Sequence, residues 1–294
     1  MKKLAAILAF FILHSSFCII LASPNAAFVP RRAPEAPGRA ELKVAPSNML
    51  FVNCELNGRP CVMLFDTGAT HTTFDIGFVK REFPDTPMMQ VMDTGDTNVN
   101  QNPFVFQVGT LKIGEAEFSD FSAMAIDLSG LSGMADGKLV GVLGMNVIGA
   151  SRTTVSLSKS EVVFGQGIEV REEFDSPARR LNDQFDFSIL LVTDCGKGAF
   201  PLIIDTGSTW TFLQRDCGWP ATTNEFSMMA RDINAANGLN IVVGEPGTLK
   251  LTPGAELEVS PLLVPQPLNR IGSDTLRKYD LLIEPRAVAF KKTE

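Results

Sequence analysis

The sequence predicts an all-β protein of two related lobes with a few short helices. Three observations point there. First, two apolar runs end at the same tripeptide: Met63-Leu64-Phe65-Asp66-Thr67-Gly68-Ala69-Thr70 and Leu202-Ile203-Ile204-Asp205-Thr206-Gly207-Ser208-Thr209. An apolar strand that stops at a carboxylate and turns on a glycine places that carboxylate at a strand end, ready to face a cleft. Second, Gly109-Thr110-Leu111-Lys112 follows Asp66 by 43 positions, and Gly247-Thr248-Leu249-Lys250 follows Asp205 by 42. Matched spacing of that kind marks an internal repeat. Third, short strand-like runs dominate and βαβ alternation is absent.

Composition bounds the rest. The chain has 294 residues, 45% of them hydrophobic and 20% charged, which allows one to three domains and a sizeable core. A formal net charge of −7 argues against a nucleic-acid or anionic-membrane partner. With two His, no CxxC pair and no Cys/His cluster, neither a metal site nor a cofactor is expected.

From the N-terminus, Lys2-Lys3 precede an apolar stretch from Leu4 to Ala22, with small residues at Ala22, Ser23 and Ala26. That pattern reads as an export signal over residues 1–22, or as an uncleaved N-terminal anchor, the only route by which a membrane would be a partner. Residues 23–47 are rich in Pro, Ala and Arg and read as an extended linker, a pro-segment or a tether. The first lobe is expected over 48–172, a connector over 173–181, and the second lobe over 182–294.

Within the first lobe, strands are expected over 49–56 and 61–65 around the Asn57-Gly58 turn. Counting outward pairs Leu56 with Arg59, Glu55 with Pro60 and Cys54 with Cys61. A Cys54–Cys61 bridge is then reachable, leaving Cys195 for Cys217, although buried thiols satisfy the same sequence. A short helix is expected over 75–82, closed by Pro84 and Pro87. A third Asp-Thr-Gly, at Asp93-Thr94-Gly95, has a short approach and is followed by Asp96, so it reads as a hairpin turn. Its counterpart in the repeat falls in a helix-like run over 228–236 without the motif. The segment Leu139-Val140-Gly141-Val142-Leu143-Gly144-Met145-Asn146 aligns with Pro267-Leu268-Asn269-Arg270-Ile271-Gly272-Ser273-Asp274. The pair of interest is therefore Asp66 and Asp205.

These residues resemble the retropepsin-like and pepsin-like aspartic proteases. The resemblance rests on the two Asp-Thr-Gly motifs after apolar strands and on the apolar-apolar-Gly elements downstream, and covers roughly residues 48–292. It implies two barrel-like lobes that meet across a cleft, each giving one catalytic aspartate, Asp66 and Asp205. It also implies flap segments around 88–101 and 227–243. Thr67 and Thr206 would lock the two loops together, Gly68 and Gly207 would let backbone amides approach the carboxylates, and Ser208 would support the second loop. The only Tyr is Tyr279, so the flap tyrosine of the pepsins has no counterpart and a retropepsin-like flap is implied.

The chemistry also follows from the residues. Two carboxylates in hydrogen-bonding contact share one proton, so one serves as base for water and the other as acid for the carbonyl oxygen. An exported endopeptidase acting on peptides or proteins, with apolar residues around the scissile bond, is the expected function. A catalytically weak or inactive peptide-binding module is the alternative, and a two-acid carbohydrate-active enzyme a weaker one. One chain carries both aspartates, so a monomer is expected. Ala69 and Ser208 differ at matching places, and a Ser208 hydroxyl donating to Asp205 would favour its charged form. Asn269-Arg270 in place of Gly141-Val142 suggests weaker support for Asp205. His71 and Trp210 lie five residues after each aspartate and read as strand positions or as substrate contacts. Met88, Met89 and Met92 read as core filler or as an apolar lip on the flap.

Overall fold

The computed structural model describes residues 25–45, 48–91, 103–131, 134–135, 138–165, 174, 178–179, 189–231, 236–252, 254–266, 269–284 and 287–293. The architecture is all-β, with strands assembled into two extended sheets and four short α-helices among the described residues.

The first lobe closes on itself. Strands Leu50–Leu56, Arg59–Phe65, Leu139–Leu143, Thr73–Asp75, Ala116–Ile126 and Phe104–Ile113 pair in that order, and Leu50–Leu56 pairs again with Phe104–Ile113. Closure leaves no free edge in this six-stranded barrel. Met63, Phe65, Phe74, Phe118 and Phe121 on these strands are buried in the hydrophobic core. The first hairpin turns at Asn57 (φ 45°) and Gly58 (φ 82°), the two left-handed residues a tight right-twisted hairpin needs. Its register pairs Leu56 with Arg59, Glu55 with Pro60 and Cys54 with Cys61, as counted from the sequence. The helix Ile76–Glu82 begins where Asp75 accepts a hydrogen bond from the Phe78 amide at 2.9 Å, and it buries Phe78 and Val79.

The second lobe uses the same local pairings in an open nine-stranded sheet. Ala199–Ile204, which leads into Asp205, runs parallel to Arg270–Ile271, as Arg59–Phe65 runs parallel to Leu139–Leu143. Each Gly-Thr-Leu-Lys segment lies in a strand paired antiparallel to the strand before the motif strand, Phe104–Ile113 with Leu50–Leu56 and Gly247–Thr252 with Leu190–Asp194.

A third layer joins the lobes. Strands Ala178–Arg179, Ala287–Lys292, Tyr279–Glu284, Thr153–Ser156, Glu161–Phe164 and Gly38–Val44 are neighbours in that order. The C-terminal hairpin therefore pairs with the first lobe, Leu281 opposite Val155 and Ile283 opposite Thr153. An Arg152–Glu284 ion pair crosses the same seam.

Three expectations are revised or decided here, and a fourth falls largely outside the described residues. The described part of the 23–47 segment is not a free linker. Phe28 is 3% exposed, its carbonyl accepts a hydrogen bond from Asn146 Nδ2 at 2.7 Å, and Gly38–Val44 is paired on both sides. Gly38, Ala40 and Leu42 face inward while Arg39, Glu41 and Lys43 face outward. That period-two alternation is a strand signal hidden under a charged composition. Of the helix-like run over 228–236, the described residues 228–231 and 236 lie instead in the paired strands Ala221–Arg231 and Ala236–Gly244, where cross-strand pairing overrides the helix preference of their residues. Cys54, Cys61, Cys195 and Cys217 are buried free thiols rather than bridges, although Cys54 faces Cys61 and Cys195 contacts Cys217. Finally, the first flap segment starts as the strand Met88–Gln90 against Phe104–Phe106. Its continuation with Met92 and the third Asp-Thr-Gly, like the 1–22 segment and Cys18, lies outside the described residues.

Candidate active site

Each Asp-Thr-Gly turn is fixed from behind by the strand parallel to its own. The Asp66 amide donates to the Leu143 carbonyl at 3.1 Å, and the Asp205 amide donates to the Ile271 carbonyl at 3.0 Å. The Asp66 side chain then accepts from the amides of Gly68 (2.8 Å) and Ala69 (3.2 Å), and Asp205 Oδ1 accepts from the Ser208 amide (3.0 Å). These bonds curl each turn around its own carboxylate.

The two turns are bound to one another by a reciprocal set of four hydrogen bonds. Thr206 Oγ1 accepts from the Thr67 amide at 3.0 Å and donates to the Phe65 carbonyl at 2.8 Å. Thr67 Oγ1 accepts from the Thr206 amide at 3.1 Å and donates to the Ile204 carbonyl at 2.8 Å. Both threonines are fully buried. A hydroxyl is suited to this because it donates and accepts at once. The glycines pass across the same seam. A methyl on Gly68 would sit 2.5 Å from the Asp205 carboxyl carbon, and one on Gly207 would collide with the Asp66 carboxyl. Only glycine lets each turn lie against the opposite aspartate.

Asp66 and Asp205 are thereby brought into hydrogen-bonding contact. Desolvation in the cleft, and next the charge of Asp205, raise Asp66 from the ordinary carboxylate range to about 7, against the opposing pull of the Gly68 and Ala69 amides. A carboxyl in that state holds its proton in weakly acidic solution and about half the time at neutral pH, beside a second carboxylate, which is the pairing that acid–base hydrolysis needs.

Four further residues support the turns, and the motif itself does not show them. Thr72 Oγ1 and the Thr72 amide both donate to Asn146 Oδ1, at 2.9 and 2.7 Å, and the Gly144 amide donates to Thr72 Oγ1. In the second lobe Thr211 Oγ1 donates to Asp274 Oδ1 at 2.8 Å and accepts from the Gly272 amide. The signal was present in the alignment of the two halves, since each threonine lies six residues after its aspartate and Asn146 stands opposite Asp274.

The second turn departs from its expected support. Ser208 Oγ donates to the Trp210 carbonyl at 2.8 Å, so its hydroxyl is spent inside the turn and only its amide reaches Asp205. Arg270 instead donates from Nη1 to Asp205 Oδ2 at 2.6 Å, against a carboxylate that is 6% exposed in its side chain. Asn269, in the place of Gly141, is buried and clamps Gln214 through that residue's amide and its side chain. The exchange of an apolar pair for a polar one therefore adds bonds to the second lobe.

His71 and Trp210 part company. The His71 ring is buried edge-on against Phe28 with centroids 4.7 Å apart, and its Nδ1 is 2.9 Å from Thr70 Oγ1. Trp210 is 44% exposed. Burial lowers His71 to about 4, so the unfolded chain takes up its proton before the folded one as the pH falls. Its contribution to stability is complete above about pH 6.5 and is lost as the pH drops toward 4, by up to about 3 kcal/mol. His71→Phe is expected to remove that part of the acid destabilisation, read as a melting temperature that gains on the parent's as the pH is lowered from 7 to 4.5. An unchanged pH dependence would exclude the assignment.

Residues 52–147, which span the first barrel and its aspartate, match the family described as aspartyl protease. No curated protein matches the chain.

Proposed function

We propose that this chain, aspartic protease-like in its family match and in its two-lobed all-β architecture, is an exported aspartic endopeptidase. It hydrolyses peptide bonds with a water molecule activated between Asp66 and Asp205. The observation that carries the proposal is the four-bond threonine seam, which presses two carboxyls together from different halves of one chain. Two buried-prone carboxylates in contact are costly to keep, and a site that merely held a peptide would not need them. Because both come from one chain, a second copy is not required. Export rests on the charged-then-apolar 1–22 segment. A preference for apolar residues around the scissile bond is supported by Trp210 beside the second turn and by the exposed Met89 on the flap strand.

The second reading, a weak or inactive peptide-binding module, is favoured by one feature: Arg270 already occupies Asp205 Oδ2. A peptide-library cleavage assay separates the two. It should use a chain retaining everything from Asn25 onward, because Phe28 and Gly38–Val44 belong to the folded body. Cleavage by the parent and its loss in both Asp66→Asn and Asp205→Asn is the expected result. Equal cleavage by all three excludes the pair, and a parent that binds peptides without cutting them supports the module.

A further inference from the structure

We infer that Arg270 divides the labour of the aspartate pair, holding Asp205 as the anionic base and leaving Asp66 as the proton-carrying acid. This rests on the peptidase reading above and names the residue that gives its two halves different roles.

The asymmetry is built at one position. Val142 in the first lobe and Arg270 in the second lie opposite Leu64 and Ile203, each two residues before its aspartate. Each also precedes the residue whose carbonyl receives the aspartate amide. A side chain there stands beside the carboxyl. In the first lobe it is a valine buried in an apolar cluster with Leu64 and Leu139, so Asp66 receives amide donors and no cation. In the second lobe it is a guanidinium 2.6 Å from Asp205 Oδ2 and 32% exposed in its side chain, so the pair reaches the cleft. A charge-assisted bond of this length favours the ionised carboxylate over the acid.

The other charges near the pair are few. The strands flanking Arg270–Ile271, Ala199–Ile204 and Phe212–Gln214, carry no charged residue. Asp274 on the following short helix is engaged by Thr211, and His71 on the first lobe is held neutral by burial. Among the described residues the charged groups facing the site are therefore Asp66, Asp205 and Arg270.

The division gives a balanced cycle. Water attacks the carbonyl carbon as Asp205 takes its proton, while Asp66 gives its own proton to the carbonyl oxygen, forming a neutral diol. As the C–N bond breaks, Asp205 passes its proton to the leaving nitrogen and Asp66 regains one from a diol hydroxyl. The pair ends as it began, with Asp66 protonated and Asp205 ionised under Arg270.

A cation beside the pair eases both ionisations, so its removal moves the whole activity profile to higher pH. The test compares the parent, Arg270→Leu and Arg270→Lys in the pH dependence of kcat/KM on one peptide, with [13Cγ]Asp NMR titration of the same proteins. Asp66→Asn serves to assign the pair's signals. The acid limb and the titration of the pair as a unit are expected to move to higher pH by about one unit or more in Arg270→Leu, within the 1–3 unit range of a close opposite charge. Arg270→Lys, which keeps a charge, should recover much of the shift. If both limbs and both signals stay put in Arg270→Leu and Arg270→Lys, the inference fails. It also fails if Arg270→Leu changes only KM for peptides with an acidic residue beside the scissile bond, which would make Arg270 a substrate contact. If the parent cuts no peptide, the NMR titration still decides the role of Arg270 while the peptidase reading is lost.

Discussion

Asp66→Asn is expected to abolish most cleavage and, at the same time, to make the protein more stable at pH 8. The activity loss follows from removing the acid, and general acid–base groups are worth about 10²–10⁴-fold. The gain in stability follows from the raised Asp66. Between about pH 4 and 7 the folded chain holds a proton that the unfolded chain has released, so stability falls as the pH rises through that window. A shift from 3.8 to about 7 corresponds to an upper bound of the order of 4 kcal/mol, part of which belongs to the pair as a whole. An amide in place of the carboxyl cannot ionise. Its oxygen can still accept from the Gly68 and Ala69 amides, and its nitrogen can donate to Asp205, so it mimics the protonated acid. Across pH 4 to 8 the melting temperature of Asp66→Asn should gain on that of the parent as the pH rises, since the opposing His71 contribution is common to both proteins. Parallel curves would show that Asp66 is not the group that pays for burial.

Much of this site could be read from the sequence because its demands are local. An apolar strand, a carboxylate, a β-branched hydroxyl and a glycine must follow one another, and they do so twice. The parts that were not legible are those whose partner lies far away in sequence. Arg270 was visible as a departure from Val142, but its sign was misread. A cation in place of a valine suggests a disrupted wall until the geometry puts its Nη1 against Asp205. Ser208 failed in the opposite way: a hydroxyl in a tight turn has a local carbonyl available two residues on, and that bond wins over the carboxylate. The Gly38–Val44 strand was obscured because its outward positions are Arg39, Glu41 and Lys43, whose charges dominate the composition while Ala40 and Leu42 carry the burial. The hairpin of Ala221–Arg231 and Ala236–Gly244 shows the limit of local preference, since its register is set by a partner strand.

The seam between the lobes should behave as one unit, and Thr67→Val with Thr206→Val tests that. Each substitution keeps the branched shape but deletes one acceptor and one donor. It strands an amide of the opposite turn and a carbonyl, Phe65 or Ile204, in a fully buried place. A buried unpaired polar group costs about 1–3 kcal/mol, so each single variant, which strands two of them, should lose about 2–6 kcal/mol. Activity should fall more steeply than stability, because a displacement of about 1 Å between reacting groups can cost about 10²-fold. The double variant should lose less than the sum of the singles in both measurements. Once one hydroxyl is gone, the turns are free to part, and the remaining pair of bonds no longer holds the carboxyls together. Strict additivity in the double-mutant cycle would mean that each threonine only braces its own turn. The contact between Asp66 and Asp205 would then be maintained elsewhere, by the shared sheet in which the C-terminal hairpin pairs with Thr153–Ser156.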